Sequence, residues 1–109
     1  MRRNRNTSTA GQRRQRSRLA QLVSQQPLLR GNLVQSKRKC GKPHCRCQRG
    51  HLHSSSYLYL SIDGKPQTVY IPSAWQQRVE QWVKDYQEVR LLLEQLSSQQ
   101  LRKLRQREE

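Results

Sequence analysis

The chain has 109 residues, 22 of them Lys or Arg against 7 Asp or Glu, for a net charge of +15. Hydrophobic residues make up 32% and Phe is absent, which leaves material for one small domain with tails; cores of that size lean on a metal, a staple or a partner. No apolar run approaches the ~20 residues of a membrane span, so no membrane partner is expected, and the charge far exceeds the ~2–8 units that solubility asks of a small domain.

The charge is unevenly placed. Residues 1–30 hold 8 basic and no acidic residues, residues 31–72 hold 7 basic and 1 acidic, and residues 73–109 hold 7 basic and 6 acidic. The first two-thirds therefore project a field suited to a polyanion. The Arg-rich start has no apolar segment of a secretory signal. It reads as a nucleic-acid tail in preference to a mitochondrial transit peptide, and the expected compartment is reducing cytoplasm, on nucleoid or RNA.

Residues 1–11 have no periodicity and are expected to form a disordered basic tail. Residues 12–30 form a basic helix and linker: Leu19, Leu22 and Val23 lie to one side, Arg13, Arg14, Arg16 and Arg18 around the rest, and Pro27 stops the helix. So thin an apolar stripe must dock or fold on binding. Gly31 to Lys39 reads as a basic strand, and Tyr57–Ile62 and Lys65–Ile71 as two more. Asp63-Gly64 between them is a strong type I′ hairpin signal. That turn sets Ile62 opposite Lys65, Leu60 opposite Gln67 and Leu58 opposite Val69. Leu58, Leu60, Ile62, Val69 and Ile71 then share one face, and Tyr57, Tyr59, Thr68 and Tyr70 the other. Pro66 cannot donate to a ladder, so the last strand is expected to lie at an edge or to be irregular near its start. Ser73 is the expected N-cap of a helix running to about Arg105. Its apolar residues at Trp75, Val79, Trp82, Tyr86, Val89, Leu93 and Leu96 alternate steps of 4 and 3, a candidate coiled-coil seam.

The densest chemical signal lies between Cys40 and His53, where three thiols and three imidazoles fall within fourteen residues. A closed structural zinc site takes four such ligands in a tetrahedron, and three clustered cysteines in a reducing compartment read as metal ligands before disulfides. Cys40, Cys45 and Cys47 are the expected thiolates. His53 is preferred as the fourth ligand over His51, and His44 is assigned to phosphate or solvent. Free cysteines packed as small hydrophobes, or a Cys40–Cys45 redox pair, are the competing readings. The first lacks a core in this polar stretch, and the second lacks the Cys-x-x-Cys spacing. Catalytic zinc needs an open position and a nearby acid, but residues 31–72 offer only Asp63, which the turn explains. An enzyme is not expected.

The run Cys40-Gly-x-x-x-Cys45-x-Cys47-x-x-Gly50-x-x-His53, the Tyr-rich strand, Asp63-Gly64-Lys65, Val69-Tyr70-Ile71-Pro72 and the long helix resemble a family of small uncharacterised prokaryotic proteins, over about Leu29 to Leu96. That family's pattern has Cys-Gly-x-x-x-Cys-x-Cys, a His-Gly-Pro-Tyr segment and a Gly-Gly-Lys turn. The chain departs from it at Ser54-Ser55-Ser56, where the family has Gly-Pro, and at Asp63, where it has Gly. The resemblance implies a zinc-binding-like β knuckle with a helix, favours His53 over His51, and would suit an association with mobile elements or other DNA-handling systems.

Lys37, Arg38, Lys39, Lys42, Arg46 and Arg49 bracket the cysteines and, with Arg13, Arg14, Arg16 and Arg18, are the expected phosphate contacts. Tyr57, Tyr59 and Tyr70 could stack on unpaired bases. The simpler reading has them covering the sheet against the C-terminal helix, with Trp75 and Trp82. The proximal half of that helix is expected to pack internally, and the distal half, with Val89, Leu92, Leu93 and Leu96, to pair with a second copy or a larger protein.

The expected fold is α+β: a small zinc-knuckle-like sheet of about three strands in residues 31–72, a short N-terminal helix, and a long amphipathic helix in residues 73–109. The expected function is a nucleic-acid-binding accessory protein or regulator, partnered by DNA or RNA and carrying one structural zinc. The alternative is an adaptor that holds a larger nucleic-acid enzyme through its C-terminal helix.

Overall fold

The computed structural model describes residues 9–38, 44, 50 and 53–107, with the side chains of Arg38 and His53 outside the description. The element order is helix α1 (Ala10–Gln25), strands β1 (Asn32–Arg38), β2 (His53–Ile62) and β3 (Lys65–Ile71), a 3₁₀ turn (Ser73–Trp75), and helix α2 (Gln76–Gln106). This is the α+β arrangement expected. The chain divides into two units: Leu29–Val83, and Met1–Leu28 with Lys84–Glu109. The helix α2 runs through both.

In the first unit the three strands form one antiparallel sheet in the order β1-β2-β3. The β2–β3 register pairs Ile62 with Lys65, Leu60 with Gln67 and Leu58 with Val69, as the Asp-Gly turn dictates. Asp63 and Gly64 have φ of 52° and 78°, the two positive values a type I′ turn requires. The strand β3 is an edge, where the missing N–H of Pro66 is tolerated.

The sheet is longer than the apolar pattern indicates. The strand β2 starts at His53, and Ser54, Ser55 and Ser56 pair with Lys37, Ser36 and Gln35. Strand propensity does not favour a serine run. Its pairing to β1 does, because the ladder satisfies its backbone groups, and Ser56 is buried.

Alternation places Leu33, Leu58, Leu60, Val69 and Ile71 on one face. Leu58 and Ile71 are buried there with Val79 and Val83 from the first turns of α2, flanked by Leu29, Leu33, Leu60 and Trp82. The Leu29 N–H donates to the Trp82 carbonyl oxygen at 3.2 Å, tying the segment before β1 to α2. Ser73 does not cap the helix by its side chain. Pro72 holds the cap position of the 3₁₀ turn, with no side-chain cap bond, and the Trp75 N–H reaches the Pro72 carbonyl at 2.9 Å.

In the second unit, α1 docks on the distal part of α2. Leu22 is buried with Val89 and Leu92, flanked by Leu19 and Leu28. The Gln15 amide donates to Gln95 Oε1 at 2.9 Å and accepts from Gln99 Nε2 at 3.0 Å. Val89 and Leu92 are thus covered by the chain's own first helix, not left for a partner as expected. The buried residues of α2 also differ from a single heptad seam. Val79 and Val83 face the sheet, and Val89 and Leu92 face α1, because the six-residue step from Val83 to Val89 turns the helix by about 240° and leaves the 3-4 alternation.

The helix α1 begins at Ala10 because Thr9 caps it. Thr9 Oγ1 accepts from the Gln12 N–H at 3.1 Å, and Gln12 Oε1 accepts from the Thr9 N–H at 3.0 Å. This capping box satisfies two otherwise orphaned donors. Thr9→Ala is expected to cost about 1 kcal/mol, read as a lower urea midpoint for the helical signal.

Candidate nucleic-acid interface and metal-binding segment

The sheet face turned away from α2 carries the tyrosines. Tyr57 and Tyr70 are direct cross-strand partners, and Tyr59 lies two residues on from Tyr57. Their rings touch: Tyr57 and Tyr59 stack with centroids 6.5 Å apart and planes 12° apart, while Tyr70 meets Tyr57 edge-on at 5.8 Å and 65°. Tyr59 is 41% exposed and Tyr70 57%. The expectation that these rings cover the sheet against the C-terminal helix is therefore overturned. The helix occupies the Leu58 face, and strand alternation forces Tyr57, Tyr59 and Tyr70 onto the other. Trp75 and Trp82 meet each other edge-on at 6.0 Å, and Arg78 lies 4.0 Å above the Trp75 ring in a cation–π contact. Val34, the β1 partner of Tyr57, adds a part-exposed methyl surface beside the rings. It was missed from sequence because a lone Val in a basic strand carries no signal until the register is known.

The two ends of the sheet differ in charge. Asp63, the sole acid of residues 31–72, sits in the β2–β3 turn. The opposite end is formed by the Arg38–His53 pair, from which residues 39–52 connect β1 to β2. That connection contains Lys39, Lys42, Arg46 and Arg49 along with Cys40, Cys45, Cys47 and His51, all of which lie outside the described residues. His44 is an exposed turn residue, and Gly50 has φ of 96°. Among the described residues no group of three or more His, Cys, Asp or Glu side chains is placed to hold a metal. The proposed ligands Cys40, Cys45, Cys47 and the His53 imidazole are not among them.

The basic residues of α1 divide. Arg13, Arg14 and Arg16 are exposed. Arg18 is engaged by Glu88: its Nε donates to Oε2 at 2.8 Å and its Nη2 to Oε1 at 3.0 Å, a bidentate pair. Hydrogen bonding to the partner, opposed by desolvation and assisted by charge, raises the Arg18 pKa and lowers that of Glu88. This pairing engages the Arg18 guanidinium within the fold. Lys37 is exposed. Arg30, whose Nη2 donates to the Ser61 carbonyl at 2.6 Å, serves the sheet.

A family model for a domain of unknown function, DUF6788, matches residues 12–81. The chain belongs to the DUF6788 family. The DUF6788 match takes in all but the first two residues of α1, the whole sheet, the connection of residues 39–52 and the first turn and a half of α2, in keeping with the uncharacterised family anticipated from the sequence. No curated protein and no solved structure matches the chain. Among the described residues no helix is long and apolar enough to cross a membrane.

Proposed function

We propose that this DUF6788 protein is a non-enzymatic nucleic-acid-binding accessory protein or regulator of the cytoplasm, with one structural zinc shaping its basic connection. The observation that carries the reading is the placement of charge along the chain: the one acid of residues 31–72 lies in the turn at one end of the sheet, and Lys37, Arg38, Lys39, Lys42, Arg46 and Arg49 fall in sequence at the last two positions of β1 and in the connection that follows. The strand β2 separates these ends by roughly 30 Å at ~3.3 Å per residue, so the acid leaves the basic end's field unopposed.

The zinc ligands would be Cys40, Cys45, Cys47 and His53. The strand register supports this set. Arg38 and His53 are cross-strand partners, about 5 Å apart at Cα. Cys40 is two residues beyond Arg38, a reach of at most ~7 Å. That register would allow the first and last proposed ligands to approach one ion. A metal there would fix the neighbouring Lys and Arg side chains for phosphate contact.

The test is binding of the full chain to a fluorescent oligonucleotide at several salt concentrations. With four to six phosphates neutralised, affinity should fall about a hundredfold or more from 50 to 200 mM salt, at a slope of ~0.9 per contact on duplex DNA. Neutralising Lys37 and Arg46 together with Gln should make the slope shallower by about two. No binding to DNA or RNA at low salt sinks the reading.

A second reading, an adaptor for a larger nucleic-acid enzyme, is favoured by one feature of α2. Leu93, Leu101 and Leu104 are exposed on its distal part, and Leu93 and Leu104 lie about three turns apart on the same side. Retrieval of such an enzyme by the full chain, lost on Leu93→Glu, together with no binding to bare nucleic acid, would select it.

A further inference from the structure

We infer that the tyrosine face of the sheet binds unpaired nucleobases, so that the protein takes single-stranded nucleic acid in preference to duplex. The inference rests on the nucleic-acid reading above and names the substrate class within it. Tyr57, Tyr59 and Tyr70 form one contiguous aromatic platform with centroid separations of 6.5 and 5.8 Å. Tyr59 and Tyr70 are open to solvent, while on the other face of the same sheet Leu58 and Ile71 are buried against Val79 and Val83. The sheet thus uses Leu58 and Ile71 for the core and leaves Tyr57, Tyr59 and Tyr70 on the face the core does not use.

Charge identifies the occupant. Among the described residues of the sheet no acid lies on this face. The other positions that alternation assigns to it include Asn32, Val34, Ser55, Ser61 and Thr68, mostly neutral groups that hydrogen-bond. The basic connection leaves from the Arg38–His53 end, four residues from Tyr57, or roughly 13 Å along the strand. An aromatic platform on a chain of net charge +15 suits a ligand with flat apolar rings on an anionic backbone. Every base has a π face, so stacking tolerates any sequence. A duplex hides those faces within its own stack and cannot offer them to a sheet.

The experiment compares the full-length wild type with Tyr59→Ala, Tyr70→Ala and the matching Phe variants. The probes are fluorescein-labelled oligo-dT, oligo-U and a blunt DNA duplex of equal length. Tyr59 and Tyr70 lie outside the buried core, so the Ala variants should stay folded with a small loss from the missing ring contact, which circular dichroism checks. Each Ala variant should bind the single strands about 5- to 100-fold more weakly. The Phe variants should retain affinity, duplex binding should stay unchanged, and the salt slope should hold. Ala variants that bind single strands like the wild type overturn the inference and leave the nucleic-acid reading standing. Equal losses on duplex and single strand also overturn it. So does a wild-type dimer that Tyr70→Ala dissociates without changing affinity, because the face would then serve self-association. Failure of the wild type to bind any of the three probes removes the broader reading as well.

Discussion

Replacing Gly31 with alanine should destabilise the sheet unit by about 2–5 kcal/mol, from a Gly-only backbone conformation and an overpacked core acting together. Gly31 has φ of 149°, and a Cβ placed there would lie 2.6 Å from Leu58 Cδ1, 2.9 Å from its Cγ and 3.2 Å from the Tyr59 carbonyl oxygen. The Leu58 side chain cannot simply swing away, because it is buried against Ile71, Val79 and Val83. Small domains have only ~5–15 kcal/mol in total, so the loss should appear as a large drop in urea midpoint at an unchanged denaturant slope. Gly64→Ala is the control. Gly64 has φ of 78° with nothing within 4 Å of the added Cβ, so only backbone strain of about 1–2 kcal/mol applies. Equal effects at the two sites would show that the contact with Leu58 does not constrain the core.

Removing the metal is expected to have the second large effect. The purified chain should carry one zinc, and chelation should lower its stability by about 3 kcal/mol if zinc is present at a hundred times its dissociation constant. For a unit of this size that is a fall of roughly 10–25 °C in melting temperature. The loss should concentrate at the open end of the sheet. Amide exchange at Ser54 and Ser55, which pair with Lys37 and Ser36, should accelerate more than at Tyr59, whose partners Asn32 and Thr68 lie nearer the turn. Nucleic-acid affinity should fall with it, because Lys42, Arg46 and Arg49 would lose their fixed positions. Cys40→Ser should reproduce both effects. A metal-free purified protein whose melting temperature is unchanged by Cys40→Ser removes zinc from the account.

Much of the fold could be read residue by residue. Asp63-Gly64 set the hairpin and its register, since a two-residue type I′ turn allows one pairing and strand alternation then assigns each side chain a face. Pro66 marked the edge strand and Pro27 the end of the first helix. Thr9 and Gln12 carried a capping-box signal, though the helix start was read two residues late. The serine run before Tyr57 was opaque, because its strand conformation comes from the ladder to β1 and not from its own propensity.

For the candidate site, composition and spacing by themselves determined the charge, its placement and the clustering of three cysteines with histidines, all of which are properties of the chain in any conformation. Alternation likewise put the tyrosines together on one face. Which face α2 would cover, and which partner would cover Val89 and Leu92, only the tertiary structure decided. Both faces of the sheet and several stripes of α2 are apolar enough to be buried, and hydrophobic burial has no direction of its own. Competition among those surfaces sent Val79 and Val83 onto Leu58, placed Leu22 of α1 on Val89 and Leu92, and left the tyrosine face open.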